Sequence, residues 1–272
     1  MIDTHVHLVS EDSGRYPRCA DPPLRTVGYT WTVEQFLVAM NEAGVTKATV
    51  VQPFGVYGLD NSYQADVAAQ YPTRYVGVCG VTPDASGAEA LRFWVAERGM
   101  TGARIMTLGR PDALTGDGFK TVLAAAAELG IAVCVLASRS QLASVAASAR
   151  RFASVPIILD HIGWLGDVPL VADQATAALE PFRHLDNVFM KVTTKLVASG
   201  SESQRLLESL MATFGPSRMV WGTNFPVTDY GGYAATVKAS NDALTFLSDA
   251  ERYAFVCGTA QAVWPRLTAE PS

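Results

Sequence analysis

Short apolar runs rich in Val and Ile alternate with longer Ala-rich runs whose apolar positions recur every three to four residues, and the alternation continues along almost the whole chain. The short runs read as strands at 1–7, 47–52 (KATVVQ), 74–80 (RYVGVCG), 101–106 (TGARIM), 131–137 (IAVCVLA), 155–160 (VPIILD), 187–193 (NVFMKVT) and 218–222 (RMVWG). The longer runs read as helices. Four helix starts show capping-box spacing, a Ser or Thr followed three residues on by Glu or Gln: Thr32/Gln35, Ser86/Glu89, Ser201/Gln204 and Ser248/Glu251. Helix ends fall on Gly44, Gly99 and Gly130, where a left-handed residue costs least. Strands that are apolar on both faces and separated by helices lie parallel, and eight such units predict a single (β/α)8 TIM barrel over residues 1–272. The length suits a barrel, whose usual size is about 250 residues. The alternative, an open doubly wound sheet, normally has a glycine-rich phosphate loop after its first strand; this chain has HVHLVSEDSGRYP there.

A barrel of this kind carries its active site at the C-terminal ends of its strands, which allows the candidates to be named from sequence. They are His5 and His7 after the first strand, Gln52 after the second, Arg104 on the fourth, His161 after the sixth, Lys191 on the seventh and Asn224 after the eighth. Residues i and i+2 of a strand share a face, so the His-Val-His triplet aims both imidazoles at one place. Neutral imidazole binds metals and exchanges protons near neutral pH. Polar side chains at this level of an apolar barrel are costly unless paired, so convergence on one ligand is the reading adopted. Arg104 and Lys191 favour a carboxylate-bearing substrate, although long cations also cover apolar surface, and Gln52 could simply cap a turn before Pro53. Asp160, read as extended, faces away from His161 and orients a neighbouring group. His184 sits at a helix end on the opposite rim, with no catalytic role. Residues 8–31 form a long loop expected to arch over the site.

Charged residues make up only 17% of the chain and apolar ones 49%, so part of the surface is expected to be covered by a second copy of the chain. The net charge of −5 and the lack of any Lys/Arg run argue against a nucleic-acid partner. No apolar stretch reaches a membrane span's roughly 18 residues and no signal-peptide pattern opens the chain, so a cytoplasmic protein is expected. The four cysteines are scattered without a C-x-x-C pair, and Cys79, Cys134 and Cys257 read as buried packing.

THVHL at the start of the first strand, LDHIG after the sixth and WGTNFP after the eighth resemble the amidohydrolase superfamily. More narrowly they resemble its amidohydrolase-related group, which contains the 2-pyrone-4,6-dicarboxylate lactonases and the metal-dependent aromatic acid decarboxylases. VVQPFGVYGLDNSY, NVFMKVT and VCGTAQAVWPRL are similar to the lactonase branch, and the likeness extends over essentially the full length. It implies a hydrolase attacking a small anionic lactone or cyclic ester. His5 and His7 match the family's first-strand pair and His161 its sixth-strand histidine. Asn224 stands where the family usually carries its aspartate base, and the fifth strand offers Leu136, Ala137 and Ser138 where metal-dependent members place a ligand. An amide takes no proton near pH 7, so the base is expected to be His161, with Asp229 in reserve. Either one divalent ion, zinc or manganese, sits on His5, His7 and His161, with an amide as poor fourth ligand, or the site is metal-free. The competing readings are a metal-dependent decarboxylase and a barrel that binds a small acid without turning it over.

Overall fold

The computed structural model describes residues 1–21, 29–107, 110, 112–163, 171–197, 200–228 and 230–269. Eight strands form one parallel sheet in sequential order: β1 Ile2–Val6, β2 Lys47–Val51, β3 Tyr75–Gly80, β4 Gly102–Met106, β5 Ala132–Leu136, β6 Ile157–Leu159, β7 Val188–Thr193 and β8 Met219–Gly222. Each lies within a run expected from the hydrophobic pattern. β8 returns to β1 through a parallel bridge between Val6 and Phe225, with the His7 amide on the Phe225 carbonyl at 2.9 Å and the Thr4 hydroxyl on the Trp221 carbonyl at 2.7 Å. The (β/α)8 barrel is thus closed across this seam.

Alternation along the strands sorts the core into two layers. Val51, Val76, Val78, Ala132, Cys134, Ile158 and Val220 form the inner cluster, where Trp264 and Leu267 of the C-terminal turn join them. Their odd-and-even partners, such as Val50, Cys79, Ala103, Val133, Leu159 and Trp221, pack outward against the helices. Gly102, at the start of β4, makes room for the Trp264 indole: a Cβ there would stand 3.1 Å from Nε1. Lys47, at the start of β2, donates to the Leu267 carbonyl at 2.7 Å, so the C-terminal turn stoppers the N-terminal mouth of the barrel.

Helix 33–42 starts at the Thr32/Gln35 capping box and helix 249–253 at the Ser248/Glu251 box. Two expected boxes are not formed. Helix 85–96 is capped by Asp84, whose carboxylate accepts the Gly87 amide at 2.9 Å, and helix 201–214 begins at Ser201 itself, after Gly200. Gly130 ends helix 117–129 at φ 64°, as its position predicted. Cys79 and Cys134 are buried, whereas Cys257 is only partly so. His184 is exposed in the turn before β7. Among the described residues no helix is long and apolar enough to cross a membrane.

Candidate active site

Asp160 lies at the centre of the site. β6 ends at Leu159, and His161, Ile162 and Gly163 then take left-handed φ values of 55°, 59° and 69°. Left-handed backbone is uncommon for histidine and rarer still for a β-branched isoleucine. It cancels the strand alternation, so Asp160 and His161 both come up against His5, Asp160 Oδ1 at 3.8 Å from its Nδ1 and the His161 ring centre at 5.0 Å from its own. The expectation that Asp160 faces away from His161 is therefore corrected.

The Asp160 carboxylate is enclosed by cations. Arg104 Nε donates to Oδ2 at 2.7 Å and Lys191 Nζ stands 2.9 Å from Oδ1, with both acid and lysine wholly buried. Burial opposes ionisation of Asp160, but the Lys191 ammonium and then the Arg104 guanidinium outweigh it and hold the carboxyl well below the usual range. Burial likewise works against the Lys191 charge, and Asp160 reverses that effect and raises it. Lys191 also donates to Cys134 Sγ at 3.5 Å and lies 5.7 Å from the Trp264 ring centre. Its charge thus sits against Asp160 and Cys134 in the interior of the barrel. Arg104 lies 5.9 Å from the Phe54 ring centre and its terminal amino groups make no hydrogen bond among the described residues.

The three histidines form one cluster. His5 and His7 approach through their Nε2 atoms at 3.2 Å with ring centres 4.9 Å apart, and the His161 ring lies 5.0 Å from that of His5. His7 Nδ1 meets the Val51 carbonyl at 2.9 Å, which only an N–H can satisfy, so neutral His7 carries its lone pair on Nε2. His5 is then the donor across the shared contact, and its buried Nδ1 has no hydrogen-bond partner among the described residues, 3.8 Å from Asp160 Oδ1. Thr193 holds His161 at Nδ1, 3.2 Å away. Burial lowers all three histidines: His7 to about 3, His161 to about 4 and His5 well below its ordinary value, with the Arg104 charge adding to the effect on each. They are neutral at pH 7.

The remaining expected residues divide. Asn224, at φ 61°, hangs from the His5 carbonyl by its amide at 2.8 Å and turns its carboxamide nitrogen to Thr228 Oγ1 at 3.4 Å. Gln52 is wholly buried and engages its amide nitrogen with the Gly58 and Asp60 carbonyls at 2.9 and 2.6 Å, so it holds the loop after β2. Asp229 and residues 22–28 of the first loop lie outside the described residues. The rest of that loop is tied down: Val9 pairs with Trp31, and the Tyr16 hydroxyl and Arg15 both reach Asp66, at 2.6 and 2.7 Å. Sequence reasoning missed Thr193, and also Tyr29, whose buried hydroxyl has no hydrogen-bond partner among the described residues and is pushed above the usual tyrosine range by burial. An aromatic residue closing a long loop over a barrel mouth was the available signal. Burial raises Cys79 to about 12 and Cys134 to about 11, which removes both as nucleophiles.

The donor set falls short of a metal centre. Among the described residues no three His, Cys, Asp or Glu side chains come together to hold an ion, and the one nearby carboxylate, Asp160, is already engaged by two cations. Of the expected trio, the His5 ring centre lies 4.9 Å from that of His7 and 5.0 Å from that of His161.

Three neutral imidazoles and a guanidinium gather at the C-terminal mouth of a closed barrel, the place where barrel enzymes carry their active sites. The chain belongs to the amidohydrolase family, whose pattern it matches over residues 2–266. A 4-sulfomuconolactone hydrolase of Hydrogenophaga intermedia is 23% identical over 251 residues, covering 88% of this chain and 78% of that protein. A structure described as a 2-pyrone-4,6-dicarboxylic acid hydrolase from Pseudomonas putida superposes with a TM-score of 0.80 at 22% identity, covering 97% of each chain. A Burkholderia multivorans amidohydrolase solved with zinc bound gives 0.76 at 20% identity, covering 97% of this chain and 98% of that one.

Proposed function

We propose that the protein hydrolyses a small lactone or cyclic ester that carries carboxylate groups. The observation that carries this reading is the charge of the site: two buried cations share the single carboxylate of Asp160 beside three neutral imidazoles, which leaves about one unpaired positive charge. The open fork of Arg104 receives a substrate carboxylate, since a guanidinium and a carboxylate match in shape as well as charge. The lactone-hydrolysing activities named for the relatives above agree with this substrate class.

The protein's own side chains supply the chemistry. His161, anchored by Thr193, takes a proton from water as the water oxygen bonds to the lactone carbonyl carbon. Asp160 next to it stabilises the imidazolium that forms. Oxyanion charge develops within the field of Arg104, whose guanidinium supplies fixed donors and positive charge. The ring C–O bond then breaks and the proton passes from His161 to the departing oxygen, giving a ring-opened hydroxy acid or its keto tautomer. Asn224 donates and accepts hydrogen bonds, which suits it to hold the water but not to activate it.

The test is an assay of purified protein, before and after chelation, against 2-pyrone-4,6-dicarboxylate and 4-sulfomuconolactone. Ring opening without carbon dioxide, retained after metal stripping, is the expected result. Evolved carbon dioxide would establish the decarboxylase reading instead. An inert protein that gains turnover on Asn224→Asp would show a barrel that binds its acid without acting on it.

A further inference from the structure

β1 is not a regular strand. Ile2 belongs to the inner cluster and Val6 to the outer layer, so the two-residue alternation breaks between them, and the pairing with β2 shifts register between Asp3 and Val6. A bulge of this kind leaves backbone groups without ladder partners and turns the later side chains to the other face. It is what points His5 and His7 into the barrel. The neighbouring strand makes room for it at Gly222, where a Cβ would stand 2.9 Å from both the Cβ and the amide nitrogen of His5.

The wholly buried Asp3 occupies the gap that the bulge opens. Its Oδ1 accepts the backbone amides of His5 at 3.0 Å and Thr223 at 2.9 Å. Its Oδ2 accepts the hydroxyls of Thr223 at 2.6 Å and Tyr233 at 2.9 Å. One carboxylate thus joins the bulged strand, β8 and helix 233–243, and the residue after Thr223 is Asn224, itself hung from the His5 carbonyl. Burial pushes the Asp3 carboxyl up to about 6 despite these donors.

We infer that Asp3 is a positioning residue for the reaction: by accepting four hydrogen bonds at the β1–β8 seam it fixes the bulge that aims His5 and His7 towards Asp160 and His161 and the turn that presents Asn224. It touches no reactant and acts only through these three residues. The kinetic part of the inference rests on the lactone reading, whereas the spectroscopic part does not.

The experiment compares Asp3→Ala and Asp3→Asn in full-length protein labelled with 15N-histidine. Alanine leaves all four donors without an acceptor; asparagine still accepts both amides through its oxygen and donates to hydroxyls that rotate to receive it. In Asp3→Ala the imidazole 15N signals of His5 and His7 are expected to move while that of the exposed His184 stays in place. With 2-pyrone-4,6-dicarboxylate, kcat is expected to fall about tenfold or more while KM changes less than about threefold, because the substrate carboxylate rests on Arg104. Asp3→Asn recovers most of both effects. If Asp3→Ala does not fold, Thr223→Val removes a single donor and is expected to move the same two signals by a smaller amount. Unmoved His5 and His7 signals in a folded variant, or equal displacement of His184, would overturn the inference. So would an Asp3→Asn variant as impaired as Asp3→Ala. Should the lactone prove not to be a substrate, the histidine spectra still decide the matter.

Discussion

Asp160 shows how much one side chain governs here. Arg104 and Lys191 are both inside the protein and both depend on its carboxylate, so removing that charge strands two cations in a poorly solvated place. Asp160→Asn is therefore expected to lower unfolding stability by about 3–5 kcal/mol, the range found when one partner of a buried pair is lost. Lys191→Met leaves Asp160 paired with Arg104 and is expected to cost less. Urea midpoints of the two variants check the order, and a milder Asp160→Asn would show that the cations are solvated some other way. His161→Ala belongs to the same scale: loss of a general base is expected to lower kcat about a hundredfold or more, read by steady-state assay. His5, His7, Arg104 and His161 were legible because a barrel's topology names its strand ends. The importance of Asp160 was not, since it depends on three successive left-handed residues, and periodicity carries no sign of φ. Gly163 alone hinted that the chain turns there.

At the scale of elements, hydrophobic pattern located all eight strands because a parallel strand buried on both faces is a compact apolar word between polar helix ends. It located helix starts less well. Ser86/Glu89 has the spacing of a capping box, yet Asp84 takes the position, being extended and two residues earlier, and it also accepts the Thr82 and Ser86 hydroxyls at 2.8 and 2.6 Å. A carboxylate beside unpaired helix amides is favoured over a hydroxyl by the charge at that end. Asp84→Ala is accordingly expected to lose about 1 kcal/mol in thermal or urea unfolding and Ser86→Ala distinctly less. The reverse order would return the cap to Ser86. The bulge in β1 escaped the sequence for a related reason: His5 and His7 do share a face, as an i, i+2 pair must, but alternation cannot tell which face when an extra residue lies upstream. Asp3, a charged residue in a strand without exposed positions, was the trace it left.

Across the whole molecule, the site sets how stability responds to acid. His7 and His161 are lowered in the folded protein to about 3 and about 4, and His5 lies well below its ordinary value, whereas the unfolded chain protonates each near 6.5. Below pH 6.5 the unfolded state therefore binds more protons at these three groups, and stability falls as pH falls. Asp3 works in the opposite sense. Its folded value near 6 exceeds the unfolded 3.8, so the folded state gains relative to the unfolded one as pH drops from 6 towards 4. Three histidines outweigh one aspartate, and unfolding near pH 5 is expected to take up on the order of two protons. The melting temperature should consequently be nearly level from pH 8 to 7 and drop between pH 6.5 and 5, while Asp3→Asn, which has no carboxyl to protonate, should drop more steeply over the same interval. Differential scanning calorimetry at matched ionic strength measures both slopes. A wild-type melting temperature that rises on acidification would mean that the imidazoles are charged in the folded barrel, and with charged imidazoles His161 would have no lone pair with which to take a proton from water.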